Sequence, residues 1–453
     1  MSGNKTVTIL IICVIVFIFV GVPFAADQEK ARLAEEAKIK AAEEAKKKDV
    51  PFEEAAFFAS PKKEEIYDAN AKNQRPFEVY GVGYSDGDWA VAFGNCAVGA
   101  RVTASVGKKE YSVQSFGGTF ALRFQPGSEE PAITFTQTYK DAPIGEPSVW
   151  EGTVVRSESS SDPNQASLIG YENQMLYQKM LPDYDGSNRL SEKQQAALKK
   201  KFSKIVKSLK ENADGCELVT VFGPSPMTIY PEWVPENYKK AENGTTRLDQ
   251  LQTLFAECGA TVIDLRDTFT KHKNDVYELY CKYDSHWTDY AGYLAYVDLY
   301  RYIAQSFPEA APRPMSDFSW KRGYFNNEDL AYYLGGDSWT FREYSFRRDF
   351  RCDVPKAISA FRRFTVKDSN AFGAYTDDVL GNTTVTTGRD ELPDIYVLRN
   401  SFSGQMIDIM AERSDSATFR QMFDYSFDLK DIAEKKPDYV ILTISEWDLD
   451  KLF

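Results

Sequence analysis

Histidine is almost missing from this chain. Only His272 and His286 occur in 453 residues, so a mechanism that needs an imidazole must use one of these two. Cysteine is sparse at six, and no two form a C-x-x-C pair, which argues against a structural zinc site. Cys13 lies in an apolar N-terminal segment, which leaves five and excludes complete pairing within the chain. One disulfide among Cys216, Cys258, Cys281 and Cys352 fits the sequence, and so do buried free thiols. A surplus of positive charge is lacking too. Lys and Arg total 54 against 67 Asp and Glu, and a chain of net charge −13 repels phosphate backbones. Nucleic acid is therefore not an expected partner. Apolar residues are not scarce: at 43% they exclude a disordered or collagen-like chain. The 26 Tyr and 30 Phe favour strands, tight cores or sugar-facing surfaces. The length allows two or three domains of ~100–200 residues each.

Thr6 to Ala26 carries no charge. That is enough to span a bilayer, which takes ~20 apolar residues. A cleaved signal peptide has a shorter apolar core and a small-x-small site, and Pro23-Phe24-Ala25-Ala26 fits that poorly. Residues 1–26 are read as an uncleaved signal anchor, a transmembrane helix. The flanking charges pull the other way. Only Lys5 precedes the span and several lysines follow it from Lys30 to Lys48, so a positive-inside count places the C-terminus in the cytoplasm. Long following domains often translocate regardless of charge, so this count carries little weight. Residues 27–49 are rich in Ala, Glu and Lys with carboxylate–lysine pairs at i,i+4, as in a semi-rigid helical stalk or a solvated surface helix. Residues 50–75 lose periodicity and read as a linker, so 27–75 form stalk plus linker.

From 76 to 156 the pattern becomes short alternating runs: ARVTASVG, EYSVQSF, TFALRFQ and AITFTQTY. Gly107-Lys108, Gly117-Gly118 and Pro126-Gly127 separate them. Such runs predict a small β-sandwich. Their order resembles the bacterial Ig-like domains of surface proteins. The resemblance is to a pattern, and it implies a spacer or docking surface, or a unit that binds glycan or a partner protein.

After the Ser-rich stretch 157–165, strands alternate with helical patterns across 165–453. ELVTVFG (217–223), TVIDL (261–265), DIYVLRN (394–400) and DYVILTISE (438–446) read as strands. KIVKSLKENA (204–213), RLDQLQTLFAECG (247–259) and the long segment 287–307 read as helices. This alternation predicts a three-layer α/β domain with a mainly parallel sheet, whose sites lie at the carboxyl ends of strands.

Two motifs fall at such positions. In Tyr283-Asp284-Ser285-His286-Trp287, a carboxylate two residues from an imidazole can accept the ring N–H and fix the tautomer. The other nitrogen is then a candidate general base. In Leu398-Arg399-Asn400-Ser401-Phe402-Ser403-Gly404, an apolar strand ends at Asn400 and Ser401 opens the next turn, beside helix N-terminal N–H donors that suit an oxyanion. Together they make a candidate triad: Ser401 nucleophile, His286 base, Asp284 orienter. Each motif alone has a plainer meaning. Ser401 fits a helix N-cap, and Asp284-x-His286 fits a loop hydrogen bond or part of a metal site. His272, in the polar stretch KHKND, has no matching ligand spacing and is expected to be solvated.

Residues from about Leu168 to Phe453 resemble the SGNH-type acyltransferases of the alginate O-acetylation group, the DHHW family. The matching stretches stand in the family's order: LIGYENQMLY (168–177), GPSPMTIYPEWVPE (223–236), TRLDQLQTLFAECGATVIDLRD (246–267), ELYCKYDSHWTDYAGYLAY (278–296) with the D-x-H-W signature, NEDLAYYLG (327–335), IYVLRNSFSGQMIDIMAE (395–412) and KPDYVILTISE (436–446). The family usually has Asp before the serine, where this chain has Asn400, and often Lys where it has Pro226. Asp and His precede the serine, so the resemblance implies an SGNH-hydrolase-like sheet circularly permuted relative to ordinary SGNH esterases.

The resemblance implies a serine-dependent O-acetyltransferase that passes an acetyl group through Ser401 to hydroxyls of an extracellular polysaccharide. It implies no metal or organic cofactor. A membrane-bound O-acyltransferase would supply the acyl group, and the domain would be anchored at the cell surface by the N-terminal helix. Arg399, Asn400, Tyr230 and Trp287 are candidate substrate-side neighbours; Tyr230 and Trp287 fit core packing as well. A carbohydrate acetylesterase with the same triad, or a non-catalytic glycan-binding scaffold, is the alternative.

Overall fold

The structure is a computed structural model. It describes residues 52–60, 64–72, 74–86, 88–156, 167–170, 174–241, 244–325, 330, 343–367, 382–421 and 426–453. The expected signal anchor, the helical stalk, the Ser-rich stretch and all of NEDLAYYLG except Leu330 lie outside these residues. Among the described residues no helix is long and apolar enough to cross a membrane.

The N-terminal unit is two β-sheets face to face. One pairs β1 (Glu78–Asp86), β2 (Trp89–Asn95) and β5 (Thr119–Phe124); the other pairs β3 (Arg101–Val106), β4 (Lys109–Gln114) and β6 (Ala132–Tyr139). Alternation drives it. Along β6, Ile133 and Phe135 are buried while their neighbours are not. They meet Ala90, Ala92, Val102, Ala104, Phe120, Leu122 and Phe124 in one core.

The second unit is built on six strands: β7 (Glu217–Gly223), β8 (Thr261–Asp264), β11 (Asn382–Thr386), β12 (Ile395–Arg399), β13 (Ser416–Gln421) and β14 (Tyr439–Ser445). Their spatial order is β8-β7-β14-β12-β13-β11, all parallel except β11 at the edge. The central strands β7, β12 and β14 read as nearly continuous apolar runs because both faces are covered. Leu218, Leu398 and Leu442 pack with helices α1 (Glu192–Asn212) and α2 (Arg247–Glu257). Val219, Val221, Val397 and Ile441 pack on the other face with α3 (Asp289–Ile303). This is the three-layer α/β arrangement with a mainly parallel sheet. Ser191 and Thr246 close capping boxes at the starts of α1 and α2, each such cap stabilising by about 1 kcal/mol.

Helix α3 is buried nearly all round, which marks a central element. The antiparallel hairpin β9 (Phe318–Phe325) and β10 (Glu343–Phe350) covers its outer side. Trp320 meets Tyr290 and Tyr293 there, and Asp289 accepts the Arg348 N–H at 2.9 Å. This hairpin had no expectation from the sequence.

Two expectations need correction. Residues 52–60, assigned to the linker, are strapped onto the α/β unit. Phe58 lies against His272 at 4.0 Å, Arg301 covers Phe52 at 3.7 Å, the Ala59 N–H donates to the Tyr290 hydroxyl at 3.1 Å and Val276 N–H donates to the Ser60 carbonyl at 2.9 Å. For the same reason His272 is buried, not solvated: Phe58 covers it and its Nδ1 lies 2.8 Å from Asp275 Oδ2. The cysteine alternative also resolves: Cys96, Cys216, Cys258, Cys281 and Cys352 are all free thiols.

Candidate active site

Three neighbouring strands end together. β7 ends at Gly223, β14 at Ser445 and β12 at Arg399. The chain leaving β12 turns at once into a short 3₁₀ helix, Ser401–Gln405, with Asn400 as its N-cap. The Asn400 carbonyl oxygen Oδ1 accepts the Phe402 N–H at 3.2 Å.

The histidine arrives on a narrow loop before α3. Its two sides are tied by paired Tyr280 and Trp287, by Cys281 N–H to the His286 carbonyl at 3.1 Å and by Thr288 N–H to the Leu279 carbonyl at 2.9 Å. Asp284, Ser285 and His286 form the tip. Asp284 Oδ1 accepts the His286 backbone N–H at 2.8 Å and lies 2.7 Å from ring Nδ1. The two-residue spacing lets one carboxylate oxygen hold both backbone and ring, as an Asx turn does. Ring Nε2 stands 2.7 Å from the Ser401 hydroxyl, 115 residues away in sequence. Asp284 is buried, whereas His286 and Ser401 keep partial access to solvent.

Trp287 locks the two loops together. Its indole N–H donates to the Phe402 carbonyl at 2.6 Å and to Gln405 Oε1 at 3.2 Å. Its ring lies against Gly223, where an added Cβ would come within 3.1 Å. Gly292 of α3 serves the same closeness: a Cβ there would sit 2.6 Å from Gln405 Cβ.

The other sequence candidates are core groups. Trp287 is buried, as the packing alternative had it. Arg399 is fully buried, its guanidinium donating to Gln421 on β13 at 3.2 Å. Tyr230 is buried, stacked on Trp233 at 3.6 Å, with its hydroxyl on the Lys273 carbonyl; burial raises its phenol well above the usual range. Asn400 is buried as a cap. None of the four presents an exposed surface to a substrate.

Sequence reasoning missed a layer of buried charge beneath the site. Arg247 grips Asp183 through two hydrogen bonds of 2.9 and 2.8 Å and reaches the Glu446 carbonyl. Glu446 accepts the Ser225 N–H at 2.7 Å and the Thr228 hydroxyl at 2.8 Å, which fixes the loop after β7. Burial pushes its carboxyl up to about 7, with Asp183 adding to the shift. Asp448 sits beside Asn400 and Ser445. The signal available in sequence was EWDLD directly after the last strand, where acidic residues interrupt a buried stretch.

No group of three His, Cys, Asp or Glu able to hold a metal occurs among the described residues. A cavity of 370 Å³ lies between Phe52, Phe57, Asp298 and Arg301, and it includes none of Ser401, His286 and Asp284.

Residues 180–349 match the family model of the SGNH hydrolase-like domain of the acetyltransferase AlgX. The chain carries an SGNH hydrolase-like domain. The match contains Asp284 and His286 and ends before Ser401, so the serine's place rests on the geometry above. No curated protein matches the chain. Among solved structures, it is similar to Bacillus cereus PatB1 with a sulfonyl adduct at 13% identity, covering 63% of this chain and 96% of that one, with a TM-score of 0.48. It is similar to the O-acetyltransferase domain of Pseudomonas putida AlgJ at 12% identity, over 62% and 91% of the two chains, with a TM-score of 0.40. A DHHW family protein from Eubacterium siraeum is similar at 13% identity, over 71% and 92%, with a TM-score of 0.40. At these identities and scores the likenesses carry no argument about chemistry. The match agrees with the resemblance read from the sequence.

Proposed function

We propose that the chain is a serine-dependent O-acetyltransferase acting on hydroxyls of an extracellular polysaccharide, held at the cell surface by its N-terminal segment. The observation that carries this reading is the unbroken series Asp284–His286–Ser401, with both ring nitrogens at 2.7 Å from their partners. With Asp284 accepting Nδ1–H, Nε2 is left as the acceptor for the Ser401 proton.

Ser401 Oγ attacks the acetyl carbonyl while Nε2 takes the hydroxyl proton. The N–H of Ser401, first in its turn and without an intrahelical partner, stabilises the oxyanion. The Phe402 N–H is already committed to Asn400. His286 then returns the proton to the leaving group, and acetyl-Ser401 remains. In the second half a sugar hydroxyl gives its proton to Nε2 and attacks the ester, and Ser401 recovers its proton. A membrane-bound O-acyltransferase is the proposed acyl supplier.

The test follows acetate release from a chromogenic acetyl ester by the full chain in detergent, beside Ser401→Ala, with and without an oligosaccharide acceptor. Transfer predicts an acetylated sugar that depends on Ser401. Acetate alone, in the presence of acceptor, makes the protein an esterase. Equal activity of Ser401→Ala refutes the reading.

A further inference from the structure

Asn400 is used at both ends of its amide. Oδ1 accepts the Phe402 N–H at 3.2 Å, and Nδ2 donates to Ser445 Oγ at 3.2 Å and to Asp448 Oδ2 at 3.5 Å. These partners settle which end is oxygen: the end facing an N–H must accept, and the end facing a carboxylate must donate. The Ser445 hydroxyl donates to the same Asp448 oxygen at 3.3 Å. All three residues are buried. Asp448 Oδ1, also buried, lies 2.8 Å from Lys451 Nζ and 3.9 Å from Lys179 Nζ, two partly exposed side chains whose charge offsets the cost of burying the carboxylate.

We propose that Asp448 is a positioning residue for the nucleophile: through the Asn400 amide it fixes the cap from which Ser401 presents its hydroxyl to His286. The inference rests on the reading of Ser401 as nucleophile. Aspartate at 400 would still cap Phe402, but its second oxygen would face the Asp448 carboxylate. Two carboxylates at that distance do not both ionise readily, so one keeps a proton. The protonated pair reproduces the donor that the amide supplied. Ionisation of the second carboxyl removes it and drives residue 400 from its place. The charged groups beside this pair are Lys451 and Lys179, with Glu446 two residues before Asp448; on the other side of Ser401 stand His286 and Asp284.

Asn400→Asp should therefore present Ser401 normally at low pH and poorly at high pH. Exchanging the two groups, Asn400→Asp with Asp448→Asn, restores one donor facing one carboxylate and should restore presentation at every pH. A residue that only stabilises the fold would lower all rates alike and would show no rescue.

The experiment measures sulfonylation of Ser401 by phenylmethylsulfonyl fluoride in the full chain. Oγ bonds to sulfur, fluoride leaves and His286 takes the proton, so no acyl acceptor is needed. Rates are compared between wild type, Asn400→Asp, the double exchange and Ser401→Ala, with folding checked by circular dichroism. The wild-type to Asn400→Asp ratio should rise from near unity at about pH 6 to about tenfold at about pH 8, and the double exchange should bring it back. A ratio that is flat across pH, or a folded double exchange as slow as Asn400→Asp, overturns the proposal. Labelling of Ser401→Ala at the wild-type rate instead refutes the nucleophile assignment itself.

Discussion

The hydroxyl of Thr119, in the N-terminal β unit, lies 2.6 Å from the phenol of Tyr283, the residue before Asp284. The pair is buried and spans 164 positions of sequence. Beside it Val91, Ala121 and Met175 close around Tyr283, and Lys282 lies over Trp233 at 4.8 Å and Phe116 at 5.3 Å. The β unit is thus seated on the loop that carries His286. Tyr283→Phe should cost about 1 kcal/mol in urea unfolding. It should lower kcat more than it raises KM, because the loop's aim is disturbed and not its contact with substrate. Unchanged kcat would mean that the β unit merely touches the loop.

Asp284 holds the imidazole in one tautomer. Asp284→Asn keeps the shape and one acceptor oxygen but loses the negative charge that stabilises the imidazolium formed when Nε2 takes the serine proton. The expected loss in kcat is about 10⁴-fold, with ester binding little changed. A loss under tenfold would show that the ring is oriented by other groups.

Glu446 gives the fold a pH signature. Its carboxyl is raised to about 7 by burial first and Asp183 second, so the folded state holds a proton that the unfolded state releases. A raised pKa contributes stability that is complete below the ordinary carboxyl range, near 4.5, and lost as pH rises through 7. Glu446→Gln removes the effect. Wild type should lose up to about 3 kcal/mol relative to Glu446→Gln between pH ~4.5 and ~8. Parallel stability curves from denaturant titrations would contradict this.

The strap at residues 52–60 makes a separate prediction. Phe58→Ala uncovers His272 and removes a partly buried ring, for about 1–2 kcal/mol. The melting temperature should fall while turnover per folded molecule holds, because Phe58 meets the face of the domain bearing His272 and not the site. A matching fall in turnover at low temperature would contradict the separation.

The central strands are legible because burial on both faces makes ELVTVFG, IYVLR and YVILTIS nearly continuous apolar runs, whereas the polar strands NTTVT and SATFRQ carry no such signal. Asp284, His286 and Ser401 were legible because histidine is scarce and because a serine after an apolar strand falls where sites form. The supporting layer was not. Asn400 and Asp448 are 48 positions apart, and Asp183 and Arg247 are 64 apart. Local periodicity carries no information on such pairs. His272 was misread for the same reason: its stretch is polar, and the phenylalanine that covers it lies far upstream. Arg399 and Tyr230 stood next to the right motifs, but proximity in sequence says nothing about which side chain faces the sheet and which faces the substrate.

In the proposed mechanism Ser401 carries the acetyl group between donor and sugar. The most direct test mixes the full chain with a chromogenic acetyl ester, quenches it with acid before the second half-reaction is complete, and maps the adduct by peptide mass spectrometry. One acetyl group is expected on the peptide containing Ser401, absent in Ser401→Ala and discharged when a sugar acceptor is added before the quench. Turnover with no acetyl on that peptide, or the same adduct formed in Ser401→Ala, would contradict it.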